Sequence, residues 1–254
     1  MLMKELTEFP QVKTECALAL EELQFAYPQQ PSILDCINLT IQPGERVGLI
    51  GPNGAGKTTL FLSICGILKA NAGNIFVFGE AVKAGTFNPN IGLVFQNPED
   101  QLFCPTVWED VAFGPENLQL PPLQVKHQVQ KALEITETSH LANCGPHHLS
   151  GGQKCMVAIA TILAMQPQII LYDEPSANLD LYARRRLIDF LKQSQQTSII
   201  SSHDLELILE VCDRAILLNQ GQIIADGCCR EVMGNQALMA EHRLEKPHSL
   251  FHPH

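Results

Sequence analysis

The nine residues GPNGAGKTT, Gly51 to Thr59, follow the continuous apolar run RVGLIG and precede the apolar stretch LFLSICGIL. A glycine-rich loop between a buried strand and a helix restricts the chain to an α/β architecture, with the loop at the carboxyl edge of a sheet. Glycines let successive backbone N–H groups point inward, and the helix behind them adds its positive end. Gly51, Asn53, Gly54, Ala55, Gly56, Lys57, Thr58 and Thr59 are therefore expected to wrap the phosphates of a nucleotide. Lys57 neutralises phosphate charge, and Thr58 offers its hydroxyl to Mg²⁺.

A second strand pattern, QIILYDEP at 168 to 175, delivers two carboxylates to the same edge. Asp173 is expected in the Mg²⁺ shell, and Glu174 is placed to take a proton from an attacking water. Two charges where a strand meets solvent mean little alone. Behind a phosphate loop in one chain they point to hydrolysis.

Around these motifs, short apolar runs alternate with helical patterns, as in a layered α/β domain. The middle departs from this. From Asn97 onward come Pro-containing loops and a helical stretch, LQVKHQVQKALEITETSHLA, with Val125, Val129, Leu133 and Ile135 assigned to its apolar face. This segment, about 97–165, reads as a helical insertion in an ATPase domain over 16–234. Residues 1–15 and a tail from 235 to 254 are expected as extensions outside the core.

A net charge of −10 over 254 residues opposes a grip on nucleic acid phosphates and adhesion to anionic lipid. No apolar run reaches the roughly 18 to 20 residues that span a bilayer, and the start lacks the order of a signal peptide. A cytoplasmic chain that meets a membrane only through a protein partner is expected. The nine cysteines, without a C-x-x-C pair and several of them in apolar stretches, are expected as buried reduced thiols.

LSGGQK, 149 to 154, adds a second glycine-rich helix start. Ser150 caps the helix, while Gly151, Gly152 and Gln153 leave bare amides at its positive end, so this too is an anion site. Either a second triphosphate binds there or the segment faces the nucleotide of another copy. The second is the more economical, because no second lysine loop or carboxylate pair accompanies it; two chains would then pack head to tail.

With Gln96 in VFQNPEDQLF, SANLD at 176 to 180 and His203 in SSHD, six motifs stand in order between Cys16 and Arg230. The chain resembles the ATP-binding subunit of an ABC transporter. FQNPEDQLF followed by TVWEDVAFGPENL is similar to the energy-coupling-factor importers of vitamins and of cobalt or nickel ions. The resemblance implies an α/β fold: a P-loop NTPase core with a mixed sheet, an N-terminal antiparallel β subdomain and an inserted α-helical subdomain. It implies ATP and Mg²⁺ as cofactors, with Gln96 joining Thr58 and Asp173 at the metal. Tyr27 matches the aromatic that stacks on adenine, and His203 the residue that contacts the γ-phosphate and steadies Glu174. Asp180 joins the signature Ser150 to Gln153 at a partner ATPase, in a homodimer or a heterodimer with a paralogue. Further implied partners are a transmembrane scaffold and a substrate-binding membrane subunit, which hold the chain peripherally at the cytoplasmic face of the membrane. The alternative is a soluble ABC ATPase of a non-transport process such as cluster assembly.

Against the family pattern, Cys155 and Met156 stand where basic residues are common, Tyr172 replaces an aliphatic residue, and Asn178 replaces glycine. Glu99 and Asp100 suggest an acidic surface for basic helices of the membrane partner. His242, His248, His252 and His254 invite a transition-metal reading, against which a solvated flexible end is the stronger expectation.

Overall fold

A computed structural model describes residues 16–251. Strands β1 (Leu18–Phe25) and β2 (Leu34–Ile41) form a hairpin; from Ile37 onward β2 alternates buried and exposed residues, the mark of a sheet with one wet face. With β4 (Ala72–Val77) and β5 (Glu80–Ala81), as numbered along the chain, they make an antiparallel sheet of order β2-β1-β4-β5. The second sheet is mixed. Its strands β3 (Arg46–Ile50), β6 (Ile91–Val94), β7 (Ile169–Asp173), β8 (Thr197–Ser201), β9 (Arg214–Asn219) and β10 (Gln222–Cys228) lie in the order β10-β9-β3-β8-β7-β6. All neighbours run parallel except the β9–β10 hairpin.

β7 and β8 are buried at every position because layers cover both faces of this sheet. Ile169 and Leu171 of β7 enter the apolar core shared with the antiparallel sheet, whereas Ile170 and Tyr172 enter the core shared with the helical insertion. One strand thus serves two cores. Gly221 turns the β9–β10 hairpin at φ 77° and donates no side chain; a Cβ there would lie 2.3 Å from the Ile33 carbonyl. Its own carbonyl accepts the amide of Asp35 at 2.8 Å, joining the two sheets.

Helix α1 (Lys57–Ile64) follows the phosphate loop. The insertion holds α2 (Val107–Asn117), α3 (Pro122–Ile135) and α4 (Gly151–Leu163). A Thr106–Glu109 capping box starts α2. α3 ends earlier than its sequence suggests: Thr136 closes the helix, Glu137 turns left-handed at φ 55°, and residues Ser139–Leu141 form one 3₁₀ turn. Its buried side chains are Val125, Gln128, Val129, Ala132 and Leu133, while Ile135 is 49% exposed. Two residues past Leu133 is about 200° around the helix, so Ile135 falls on the wet side and Ala132 takes its place.

Helices α5 (Leu181–Gln193) and α6 (Leu205–Val211) flank the mixed sheet, and α7 (Cys229–Gly234) and α8 (Gln236–Glu241) close the chain. As far as Phe251, the tail packs on the core and is not a detached extension. Met239 is fully buried, Leu244 and Leu250 pack against the core, and Ser249 Oγ donates to Glu206 at 2.6 Å. Short amphipathic turns such as QALMAE bury too few apolar groups to stand out from a polar tail before their partner surface is known. His242 is engaged with Asn219 at 2.8 Å, and no group of three or more metal-ligating side chains converges among the described residues. His252, His254 and residues 1–15 lie outside the described residues.

Candidate functional site

The order of the mixed sheet sets β3 between β9 and β8, and β8 beside β7, so three carboxyl ends converge. β3 runs into the phosphate loop, β7 ends at Asp173 and Glu174, and β8 leads to His203. Together they enclose a cavity of about 320 Å³ lined by Asn53 to Thr59, Gln96, Asp173, Glu174 and His203, with Ile33 at its rim. Gly51 lies beneath, against β9: a Cβ there would sit 2.1 Å from the Leu218 carbonyl, so only glycine allows the loop to lie this close. Gly56 adopts φ 105° at the start of α1.

Lys57 crosses the loop and donates from Nζ to the Gly51 carbonyl at 2.9 Å, and stands 3.7 Å from Glu174 Oε1. Burial pushes its ammonium below the ordinary value, with Glu174 and Asp173 pulling the other way. Thr58 Oγ1 donates to Asp173 Oδ2 at 2.7 Å. These are two hard oxygen donors of the type that suits Mg²⁺.

Glu174 is held at φ 49°, a left-handed conformation that costs a non-glycine residue of order 1–3 kcal/mol. Four contacts over-determine it. Its amide donates to Ser201 Oγ at 3.0 Å and to the Ser201 carbonyl at 3.1 Å. Its Oε2 accepts the His203 amide at 2.9 Å, and its Oε1 lies 3.4 Å from His203 Nε2. Oε1 is nevertheless buried without a hydrogen bond among the described residues, held between Lys57 Nζ at 3.7 Å and His203 Nε2 at 3.4 Å. A carboxylate so placed can accept a proton.

Other sequence-selected residues stand apart. Tyr27 is 38% exposed, edge-on to Phe25 at 4.9 Å, and is not part of the cavity wall. Ser150 and Gln153 form a reciprocal capping box on α4 at 3.3 and 2.9 Å. Of the two glycines, Gly152 lies against Ala183 of α5, where an added Cβ would meet Ala183 Cβ at 2.5 Å; Gly151 has only Asn178 O, at 3.9 Å. Asp180 is exposed and caps α5 through the Ala183 amide at 2.8 Å. None of these five reaches the cavity of its own chain. Asn178 sits at φ 62°, a left-handed position that asparagine tolerates better than most residues.

Two residues were missed in the sequence. Ser201 links the two acidic residues, since its hydroxyl accepts the Glu174 amide and donates to Asp173 Oδ1 at 2.6 Å; its position two before His203, at the end of an apolar strand, was the available signal. Gln101 holds the loop after β6: its Oε1 accepts the Phe95 amide at 3.2 Å, while Nε2 donates to Ala158 O and Thr161 Oγ1 on α4 at 2.8 and 2.7 Å. Gln96, exposed in the cavity wall, is thereby tied through its loop to the signature helix. The acidic surface expected nearby is half neutralised, because Lys154 bonds Glu99 at 2.5 Å and holds that carboxyl below its ordinary value.

Among the described residues no helix is long and apolar enough to cross a membrane. Residues 34–177 match the family model of the ABC transporter. A chain of Synechocystis sp. whose name places it among ABC transporter ATP-binding proteins is 56% identical over 234 residues, covering 92% of this chain and 82% of the relative. The energy-coupling factor transporter ATP-binding protein EcfA of Methanothermobacter thermautotrophicus is 44% identical, over 91% of this chain and 76% of its own. Among solved structures, cbiO1 from Clostridium perfringens, part of the ABC transporter complex cbiONQ, superposes with a TM-score of 0.80 at 34% identity, covering 89% of this chain and 94% of that one. With the family model spanning more than half of the chain and these relatives most of it, the chain belongs to the ABC transporter family, as one of its ATP-hydrolysing subunits.

Proposed function

We propose that the chain is the motor of an importer of the energy-coupling-factor type, which drives uptake of a metal ion such as cobalt or nickel, or of a vitamin. The observation that carries this reading is the juxtaposition of the phosphate cavity with an open apolar groove that shares the Gln96 loop. The groove, of about 400 Å³, includes Ile67, Phe87, Phe95, Ile162 and Met165. Ile67 and Phe87 are largely exposed, as suits a surface that a helix of a transmembrane scaffold covers. A substrate-binding membrane subunit completes the assembly, and the chain sits peripherally at the cytoplasmic face of the membrane. The names of EcfA and of the cbiONQ complex support that assignment.

At the cavity, the loop from Gly51 to Thr59 holds the triphosphate, with Lys57 on its charge. Thr58, Asp173 and Gln96 hold Mg²⁺, which when bound offsets charge on the phosphate oxygens. Water attacks the γ-phosphorus, Glu174 takes its proton, and the bond to the bridging oxygen of ADP breaks. His203 fixes Glu174 and contacts the γ-phosphate. Tyr27 offers its exposed face to adenine. Ser150, Gly151, Gly152, Gln153 and Asp180 complete the site of a partner ATPase, identical or paralogous, which accounts for their position outside their own cavity.

The test begins with affinity purification of the tagged chain from detergent-solubilised membranes of its host, with ATPase assay of what co-purifies. Recovery of a transmembrane scaffold and a small membrane subunit supports the importer. A soluble complex with ATPase activity and no membrane subunit overturns it in favour of a non-transport process such as cluster assembly. Glu174→Gln is expected to slow turnover by about 10²- to 10⁴-fold while ATP still binds, and a homodimer of this variant should hold two ATP.

A further inference from the structure

Residues 184 and 186 of α5 stand about 200° apart around the helix axis, so their side chains leave on opposite faces. Arg184 turns to the nucleotide side. Its Nη2 donates to Asp204 Oδ1 at 2.9 Å and its Nε to Asp204 Oδ2. Asp204 follows His203 directly; its amide donates to Ser202 Oγ at 2.9 Å, and its Oδ1 caps α6 through the Leu207 amide at 3.0 Å. Any shift of the His203 loop therefore pulls on α5.

Arg186 turns to the helical insertion. Its Nη2 donates to the carbonyls of Thr136 at 2.7 Å and Glu137 at 3.1 Å, and its Nε lies 3.3 Å from Glu137 Oε2. These carbonyls end α3, where helical partners run out and a cationic fork is well matched. The turn is rigid: Glu137 is left-handed, and the Thr136 and Thr138 hydroxyls share a buried hydrogen bond of 2.7 Å. The Arg184–Asp204 pair is shielded on both sides, at 22% and 24% exposure, so it is screened less than a surface pair; Glu137 is 78% exposed, so Arg186 holds α3 mainly through the two carbonyls.

We infer that α5 is a second route from the nucleotide site to the helical insertion, with Arg184 following the His203 loop and Arg186 carrying α3, separate from the route through Gln96. The inference rests on the placement of His203 at the γ-phosphate proposed above. Neither arginine lines the cavity, so both are positioning residues.

Hydrogen exchange at the amides of residues 136–142, read by mass spectrometry on the full chain, tests this. The parent is the Glu174→Gln chain with and without ATP and Mg²⁺, and calorimetry on the same samples reports ATP affinity. The parent should change exchange at these amides on binding ATP, by about threefold or more. Arg184→Met and Arg186→Met should bind ATP within about twofold of the parent and lose that response. Arg185→Met is the control on the same helix, because Arg185 pairs with Glu210 instead, and it should keep the response. Should a methionine variant fail to fold, Arg186→Lys serves in its place: it keeps the charge without the fork, and a weaker response than the parent's is expected. An undiminished response in the arginine variants, or a parent that binds ATP without any change at 136–142, overturns the inference. A parent that does not bind ATP at all overturns the proposed function itself, and this inference with it.

Discussion

The hydroxyl of Ser201 donates to Asp173 Oδ1 at 2.6 Å and accepts the amide of Glu174 at 3.0 Å, so one side chain sets the position of both carboxylates. Ser201→Ala removes both bonds in a fully buried place. Loss of a partner there costs about 1–3 kcal/mol of stability. Small displacement of the acceptor should also lower kcat by about 10- to 100-fold, with KM for ATP moved much less. Thermal denaturation and steady-state ATPase kinetics measure the two effects; a wild-type kcat would show that Ser201 only supports the fold.

The two glycines of the signature separate by environment. Gly152→Ala drives a methyl group into Ala183 on α5 and should destabilise the chain by about 1–3 kcal/mol. Gly151→Ala meets nothing closer than 3.9 Å, so the melting temperature should stay as it is. If this amide faces the nucleotide of a partner, ATPase activity of that variant should nevertheless fall by about 100-fold or more. Full activity in Gly151→Ala would remove the head-to-tail arrangement.

Tyr172 is fully buried on β7, and its hydroxyl has no hydrogen bond among the described residues. Burial, and after it the nearby Cys155, pushes its pKa up. The Cys155 thiol instead donates to the carbonyl of Pro175 at 3.3 Å. Tyr172→Phe removes the orphaned group while keeping the ring, so it should raise stability by about 1 kcal/mol in urea unfolding. A destabilised variant would mean that the hydroxyl has a partner.

Glu210 is held at about 2, below its ordinary 4.5, chiefly by the hydrogen bond from Arg185 and then by Lys192, against the opposing effect of burial. A depressed carboxylate contributes stability that is present above its unfolded value and lost as pH falls toward its folded one. The window is thus about pH 4.5 down to 2. Solvent reaches this cluster, so the contribution is about 1 kcal/mol or less. Glu210→Gln should flatten the acid limb of stability over that window, as followed by circular dichroism, and leave stability at pH 7 within the same margin below the parent.

The nucleotide half of this architecture could be read from the chain because it depends on local rules. A glycine loop between a strand and a helix, and carboxylates at a strand end, carry their geometry in their spacing. What escaped depends on distant partners. Ile135 fits an apolar period until the phase set by Val125, Val129 and Ala132 is fixed by packing against α4. QALMAE looks like tail until β9 offers Asn219 to His242 and the core accepts Met239. Glu99 looks like free charge until Lys154, 55 residues away, closes on it. Ser201 and Gln101 are common polar residues whose tasks exist only once strands and helices are assembled.

β7 is anchored alternately in two bodies of side chains that never mix, Ile169 and Leu171 on one side and Ile170 and Tyr172 on the other. Between these bodies the strand is also clamped edge to edge, by β6 on one side and β8 on the other. The strand end that carries Asp173 and Glu174 is thus gripped from four sides, by backbone on two and by side chains on two. A core substitution that shifts this strand reaches both carboxylates, even one made far from the nucleotide cavity.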